Sequence, residues 1–242
     1  MSTVTILGQT FDIGSLGQWV AAAITFFAVL VALFKDELLK SWRKPILNLS
    51  MHAGPPDCHR TKVFTTLFQP ALTNVGANCH YLRLWVTNTG KTRAESVQVF
   101  VAKLLRRGAD GSYAEVRGFL PMNLRWSHSE GERIEIFASG ISPKMGKHCD
   151  FGHVVDPSYR VSFGHQLKSV PAEQTILAFD VEFLSASLGY LVPPGTYRAK
   201  LLVAAANCAP RAYTLEVTLT GKWFKDETEM YTQGLGVSLT AD

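Results

Sequence analysis

The sequence predicts a mainly β protein, with one N-terminal transmembrane helix followed by an antiparallel β-sandwich. Three observations carry that expectation. Leu16 to Phe34 holds no charged side chain. Six charges then fall within ten residues: Lys35, Asp36, Glu37, Lys40, Arg43 and Lys44. Beyond Pro45 the apolar pattern changes to a period of two, the signature of strands with one buried face.

The helix comes first. At about 1.5 Å per residue, Leu16–Phe34 spans roughly 28 Å, close to the ~30 Å hydrocarbon core of a bilayer. Trp19 lies near one end and Trp42 beyond the other, and tryptophan favours the membrane interface. A buried core helix is the plainer alternative, but such helices rarely run this long without a polar face. A cleaved signal peptide would carry Lys or Arg before its apolar run, and residues 2–18 hold none. Lys35, Lys40, Arg43 and Lys44 all lie on the C-terminal flank, which the positive-inside rule assigns to the cytoplasm. The expected organisation is a short extracytoplasmic N-terminus at 1–15, the helix with its juxtamembrane extension at 16–44, and a cytoplasmic sandwich at 45–242. Phe34, Leu38 and Trp42 recur every four residues among charges, so the extension reads as an amphipathic brace at the headgroups or simply a solvated helix end. Pro45 ends it.

One face of the helix is lined by small residues. Gly14, Gly17, Ala21, Thr25, Ala28 and Ala32 are spaced three or four apart, which keeps them in one seam. In a bilayer, close backbone approach at small residues drives helix association, so the seam points to a homo-oligomer. Small residues are frequent in membrane helices, and the seam has a chance reading too.

The strands follow in order. "ILNLSM" at 46–51, "YLRLWVTN" at 81–88, "SVQVFVAKLL" at 96–105, "RIEIFA" at 133–138, "TILAFDVEFL" at 175–184, "TYRAKLLVAAA" at 196–206 and "AYTLEVTLTGKW" at 212–223 alternate or run apolar. Leu82, Leu84 and Val86 point one way; Tyr81, Arg83, Trp85 and Thr87 point the other. Turn chemistry separates the strands at Asn88–Gly90, Gly108–Gly111, Pro193–Gly195 and Asn207–Pro210. Segment 53–78 is weakly patterned and reads as a long loop. No comparable helical pattern occurs after residue 45.

The net charge of +4 is spread thinly over 242 residues, which argues against a nucleic-acid groove. Four cysteines in a chain this long do not form a disulfide framework. Cys58-His59, Cys79-His80 and His148-Cys149 pair a thiol with an imidazole, and His153 follows, so a zinc site built from Cys58, Cys79, Cys149 and His153 deserves a test. Adjacent strand residues face opposite sides, however, and no CxxC spacing is present, so the expectation is no metal. Asp180 and Glu182 stand two apart, on one face of a strand, where like charges raise a pKa. The plainer reading is a solvated face alternating with Phe179, Val181 and Phe183. No nucleophile elbow, P-loop, dinucleotide or zincin motif occurs. The chain is expected to be no enzyme and to carry no cofactor.

"LRLWVTNTGKTRAESVQVFV" resembles the strand–turn–strand of small Ig-like sandwiches of the CARDB type. "PPGTYRAKLLVAAANCAPRAYTLEVTLTGKWFKDETEM" is similar to the closing strands of bacterial membrane-anchored proteins with such a domain. The resemblance covers residues 80–105 and 190–232 and implies an Ig-like sandwich on an anchor in a bacterial inner membrane. It brings no catalytic residues. The expected function is a membrane-tethered binding or scaffolding module on the cytoplasmic face, self-associating through its helix and presenting its loops to a protein or small ligand. The alternative is a ligand-sensing membrane effector of a bacterial defence or stress system.

Overall fold

The computed structural model describes residues 3–6, 9–12, 16–64, 75–127, 138–184 and 187–242. The chain divides into two compact units, Met1–Lys44 and Pro45–Asp242.

In the first unit β1 (Thr3–Ile6) pairs antiparallel with β2 (Gln9–Asp12). No strand was expected here, although Thr3, Val4, Thr5 and Ile6 are all β-branched, the kind of residue that suits an extended chain. Helix α1 (Leu16–Trp42) has 27 residues, about 40 Å of length. Within it Gly17–Lys35 has a mean hydropathy of 2.0, and none of that stretch is buried. It is long and apolar enough to cross a membrane. Thr25 Oγ1 donates to Ala21 O at 2.9 Å, so the one hydroxyl in the apolar run is satisfied within the helix.

In the second unit the strands are β3 (Leu47–Ser50), β4 (Cys58–Phe64), β5 (Gly76–Asn88) and β6 (Ala94–Arg107). Short strands β7 (Tyr113–Glu115), β8 (Met122–Asn123), β9 (Arg125–Trp126) and β10 (Ala138–Ile141) follow. The rest are β11 (Gly146–Val155), β12 (Leu177–Phe179), β13 (Leu191–Val192), β14 (Gly195–Ala205), β15 (Cys208–Leu219) and β16 (Leu235–Ala241). One sheet runs β10-β6-β14-β15-β16, with β7 and β8 on β6; the other runs β13-β12-β11-β5-β3, with β4 on β5 and β9 on β11. Every named strand pairing is antiparallel. This is a β-sandwich, as the alternation predicted.

Leu82, Leu84 and Val86 of β5 enter a core shared with Val97, Val99 and Val101 of β6 and with Leu201, Val203, Leu215 and Val217. Each large side chain taken out of water there contributes about 1.5–3 kcal/mol. Two expectations need correction. Segment 53–78 is not a long loop throughout, because β4 lies within it and pairs with β5 along its whole length. Its alternation is hidden because His59 and Thr61 stand in phase with buried Val63, where an apolar residue would mark the pattern. The strand expected over 175–184 shrinks to Leu177–Phe179, with Val181 keeping a single bridge to Leu124. Of the strand expected over 133–138, only Ala138 lies within the described residues.

Asn88 holds the crossing between the sheets. Its side chain is fully buried. Oδ1 accepts from Gly90 N at 2.9 Å and Ile46 N at 3.2 Å. Nδ2 donates to Thr92 O at 2.7 Å and Ile141 O at 2.9 Å. Asn88→Ala should therefore strand four backbone groups and lower stability by about 2–4 kcal/mol, read as a shift in the urea midpoint of the full chain in detergent. A midpoint unchanged within error would show that water replaces the amide.

Candidate functional site

Because Leu82, Leu84 and Val86 face the core, Cys79, Tyr81, Arg83 and Trp85 must face outward. On β11 a bulge between Asp150 and Gly152 resets the phase. Cys149, Phe151 and Val154 therefore join the inner core, while Asp150, His153 and Val155 take the outer face. That outer face is not open to water. Val63, Ala77, Cys79, Tyr81, Val155 and Phe163 form a second buried cluster upon it. Phe163 and His165 come from the segment 156–176, which opens with a 3-10 turn at Pro157–Tyr159.

Arg160 organises that cover. Only 4% exposed, it donates from Nε to His165 O at 3.0 Å and from Nη1 to Pro171 O and Gln174 O at 2.7 Å each. Three carbonyls of an irregular loop thereby find a donor that no strand supplies.

Polar pairs line this outer face, from the buried His153–Asp180 pair out to a partly exposed group around Asp57. His153 Nδ1 meets Asp180 Oδ1 at 2.9 Å, with the two side chains 1% and 2% exposed. Arg83 Nε donates to Asp150 Oδ1 at 2.9 Å, and Ser127 Oγ bonds the same oxygen. Asp57 accepts from His148 Nε2 at 2.9 Å and from His52 N at 2.9 Å, with His52 Nδ1 at 3.0 Å. Rings link these pairs: Tyr81 lies 6.2 Å from His59 and 5.3 Å from His153, and His153 lies 5.1 Å from His165. The Arg83 guanidinium sits 5.1 Å from the Tyr81 ring centre, within cation–π range.

Burial decides the electrostatics. Desolvation raises the Asp150 pKa and the nearby Asp180 adds to it, against Ser127 and Arg83. Burial opposes the Asp57 carboxylate as well, but hydrogen bonds from His148 and His52 outweigh it and hold its pKa low. Burial, then His153 and Arg160, push the His165 pKa well below the ordinary 6.5. Burial pushes the Cys58 thiol up to about 12 and raises Cys79 and Cys149 as well. With no metal beside them these thiols stay protonated at neutral pH, and a protonated thiol is a poor nucleophile.

The sequence-derived candidates scatter. Cys58 and Cys149 lie in the inner core. Cys79 lies on the outer face, and His153 is engaged with Asp180. Among the described residues no group of three His, Cys, Asp or Glu is placed to hold a metal ion. The reading of Asp180 and Glu182 as a solvated face is overturned, since they are 4% and 8% exposed. The strand ends at Phe179, so alternation no longer sets their direction. Asp180 faces His153, and the carboxylate it perturbs is Asp150, thirty residues away. Arg83, Asp150, Arg160 and His165 went unnoticed as a set; the run "HCDFGHVVD" at 148–156, dense in titratable groups, was the available signal. In α1, Gly17, Ala21, Thr25, Ala28, Ala32, Trp19 and Lys35 are exposed. Lys40 and Trp42 belong to the helix, but their side chains are not among those described; Arg43 forms the turn after it, with Lys44 next. Gly14 lies outside the described residues.

One cavity adjoins the cover. It measures about 570 Å³ and is lined by Pro157, Arg160, Val161, Leu167, Val170 and Leu188, with Gln166 and Lys168 as polar contacts. Fold and site together define an antiparallel β-sandwich with an apolar N-terminal helix and a covered polar sheet face. Comparison with family models, curated proteins and solved structures found no match.

The depressed His165 pKa fixes a pH dependence. The unfolded chain takes up a proton near pH 6.5 that the folded chain refuses. Stability is therefore full above that pH and falls as pH drops toward the folded value, by up to about 1.4 kcal/mol per pH unit. His165→Phe keeps a ring in place and removes the proton. The melting temperature of the full chain in detergent, followed from pH 7.5 downward, should fall less steeply in this variant. Parallel curves would remove His165 from the account.

Proposed function

We propose that the chain is a membrane-tethered binding or scaffolding module, single-pass, with its sandwich on the cytoplasmic face of a bacterial inner membrane. The observation that supports it is Gly17–Lys35 itself: nineteen residues of mean hydropathy 2.0 with none of them buried. An apolar surface of this size exposed to water is unfavourable, and lipid relieves it. The Lys/Arg bias on the C-terminal flank supports the orientation. The resemblance to CARDB-type Ig-like sandwiches agrees with two antiparallel sheets following an anchor.

Self-association through the small-residue seam belongs to the same proposal. The partners are the lipid bilayer, further copies of the chain, and a protein or small ligand at the sandwich loops. A second reading, a ligand-sensing effector of a bacterial defence or stress system, draws on the 570 Å³ cavity, where Arg160, Gln166 and Lys168 accompany an apolar wall.

Two measurements test the tether. A reporter fused after Asp242 should read cytoplasmic, and a periplasmic signal would reverse the orientation. Crosslinking in membranes should give oligomers that Ala21→Leu and Ala28→Leu each weaken several-fold while Leu30→Ala does not. Equal effects from all three, or no oligomer at all, would leave a monomeric tether.

A further inference from the structure

The chain enters the sandwich at Pro45, and hydrogen bonds gather three loops around that entry. Ile46 O accepts from Thr89 N at 2.8 Å. Asn88 O accepts from Lys144 N at 2.8 Å, and Asn88 N donates to Met145 O at 3.0 Å. Asn207 Nδ2 donates to Arg93 O at 2.8 Å, and Arg211 Nη1 reaches Leu47 O at 3.3 Å. The entry, the loops 89–93, 142–145 and 206–207, and the start of β15 as far as Arg211 thus share one end of the sandwich.

Their charges are one-sided. Lys91, Arg93, Lys144 and Arg211 are all exposed, and Glu95 is the acid among them. Asp242, near Ala212, is already engaged by Lys200 Nζ at 3.0 Å. Loops at the opposite end mix Asp156, Glu173, Asp226 and Glu229 with Lys168, Lys222 and Lys225. The basic end also exposes two large apolar side chains, Ile46 at 46% and Met145 at 60%. Lys144 adopts φ 64, a left-handed conformation that glycine would occupy at lower cost.

Basic and apolar side chains mixed on one surface match the chemistry of an anionic membrane interface, where each Lys or Arg near the headgroups gains roughly fivefold in partition. The linker between α1 and β3, residues 43–46, spans at most about 14 Å when extended. The geometry points to a second membrane contact: this end of the sandwich docks on anionic phospholipid headgroups through Lys91, Arg93, Lys144 and Arg211, with Ile46 and Met145 as its apolar contacts. The inference rests on the membrane-tether reading and deepens it. The helix supplies attachment regardless of lipid charge; the basic end makes the sandwich's placement depend on it.

The test uses the full chain in lipid nanodiscs of phosphatidylcholine, with and without phosphatidylglycerol, and reads amide hydrogen exchange at 89–93 and 142–145. Exchange should be several-fold slower in the anionic discs, and high salt should abolish the difference. The triple variant Lys91→Glu, Arg93→Glu, Lys144→Glu should exchange equally in both lipids. Lys222→Glu with Lys225→Glu, at the opposite end, should leave the difference intact. Equal exchange of the unmodified chain in both lipids, or a difference that survives the triple change, overturns the docking. Retention in phosphatidylcholine vesicles after alkaline extraction reads the helix separately. If the chain is not retained there, the tether reading fails, and flotation of the same chain with anionic but not neutral vesicles still decides the docking.

Discussion

A buried amide with all four of its hydrogen-bonding positions filled holds one end of this sandwich together. Asn88 offers two donors and two acceptor lone pairs, and the chain meets each with a backbone group: Thr92, Ile141, Ile46 and Gly90. These belong to the arch from β5 to β6, the arch from β10 to β11, and the entry to β3. Both arches leave one sheet for the other, so their backbone groups lose sheet partners where they cross. One side chain repairs several of those losses at once. It also fixes where β3 starts, since Leu47 pairs with Asn88 itself. The basic end around the entry exists because this clamp holds its loops together.

The second sheet is buried on both faces from Cys149 of β11 through β12 and β13, which is unusual for an antiparallel sheet with water available. The inner face packs in the ordinary way. The outer face carries Arg83, Asp150, His153 and Asp180, charges that cannot be left unpaired without a large desolvation penalty. Pairs of this kind add little net stability compared with apolar replacements, yet removing one partner strands the other. Their effect is to specify which loop covers the sheet and in what register. The same cover, tied by Arg160, forms a wall of the cavity. The polar seam and any ligand-binding role of that cavity are therefore mechanically linked.

The two units divide the physical problem between them. The first carries an exposed apolar helix long enough to cross a membrane. The second has its own core, from Leu47 to Leu235, and needs no lipid to bury it. The proposed tether would concentrate the sandwich at a membrane and still leave the cavity beside Arg160 available. The cysteines take no part in this, since burial keeps three of the four protonated inside the sandwich.

Strand content, the inner-facing sets and the apolar helix were determined locally, and so were legible. Leu82, Leu84 and Val86 alternate because one face of β5 meets a core, and a period of two needs no knowledge of the partner strand. Gly17–Lys35 is apolar on every side, which composition alone reveals. Strand β11 was illegible for the opposite reason: both its faces are buried, and its bulge breaks the period, so "GKHCDFGHVV" shows no alternation. The pairing of Asp180 with His153, and of Asp150 with Arg83 and Ser127, joins residues from 23 to 67 positions apart. No local pattern encodes which of several carboxylates will meet which base; chain crossing and the covering segment decide it. The sequence by itself determined a helix long and apolar enough to cross a membrane and a chain that alternates into sheets. Only tertiary structure decided which outward-facing charges were to be buried, because burial depends on what a distant segment lays over them.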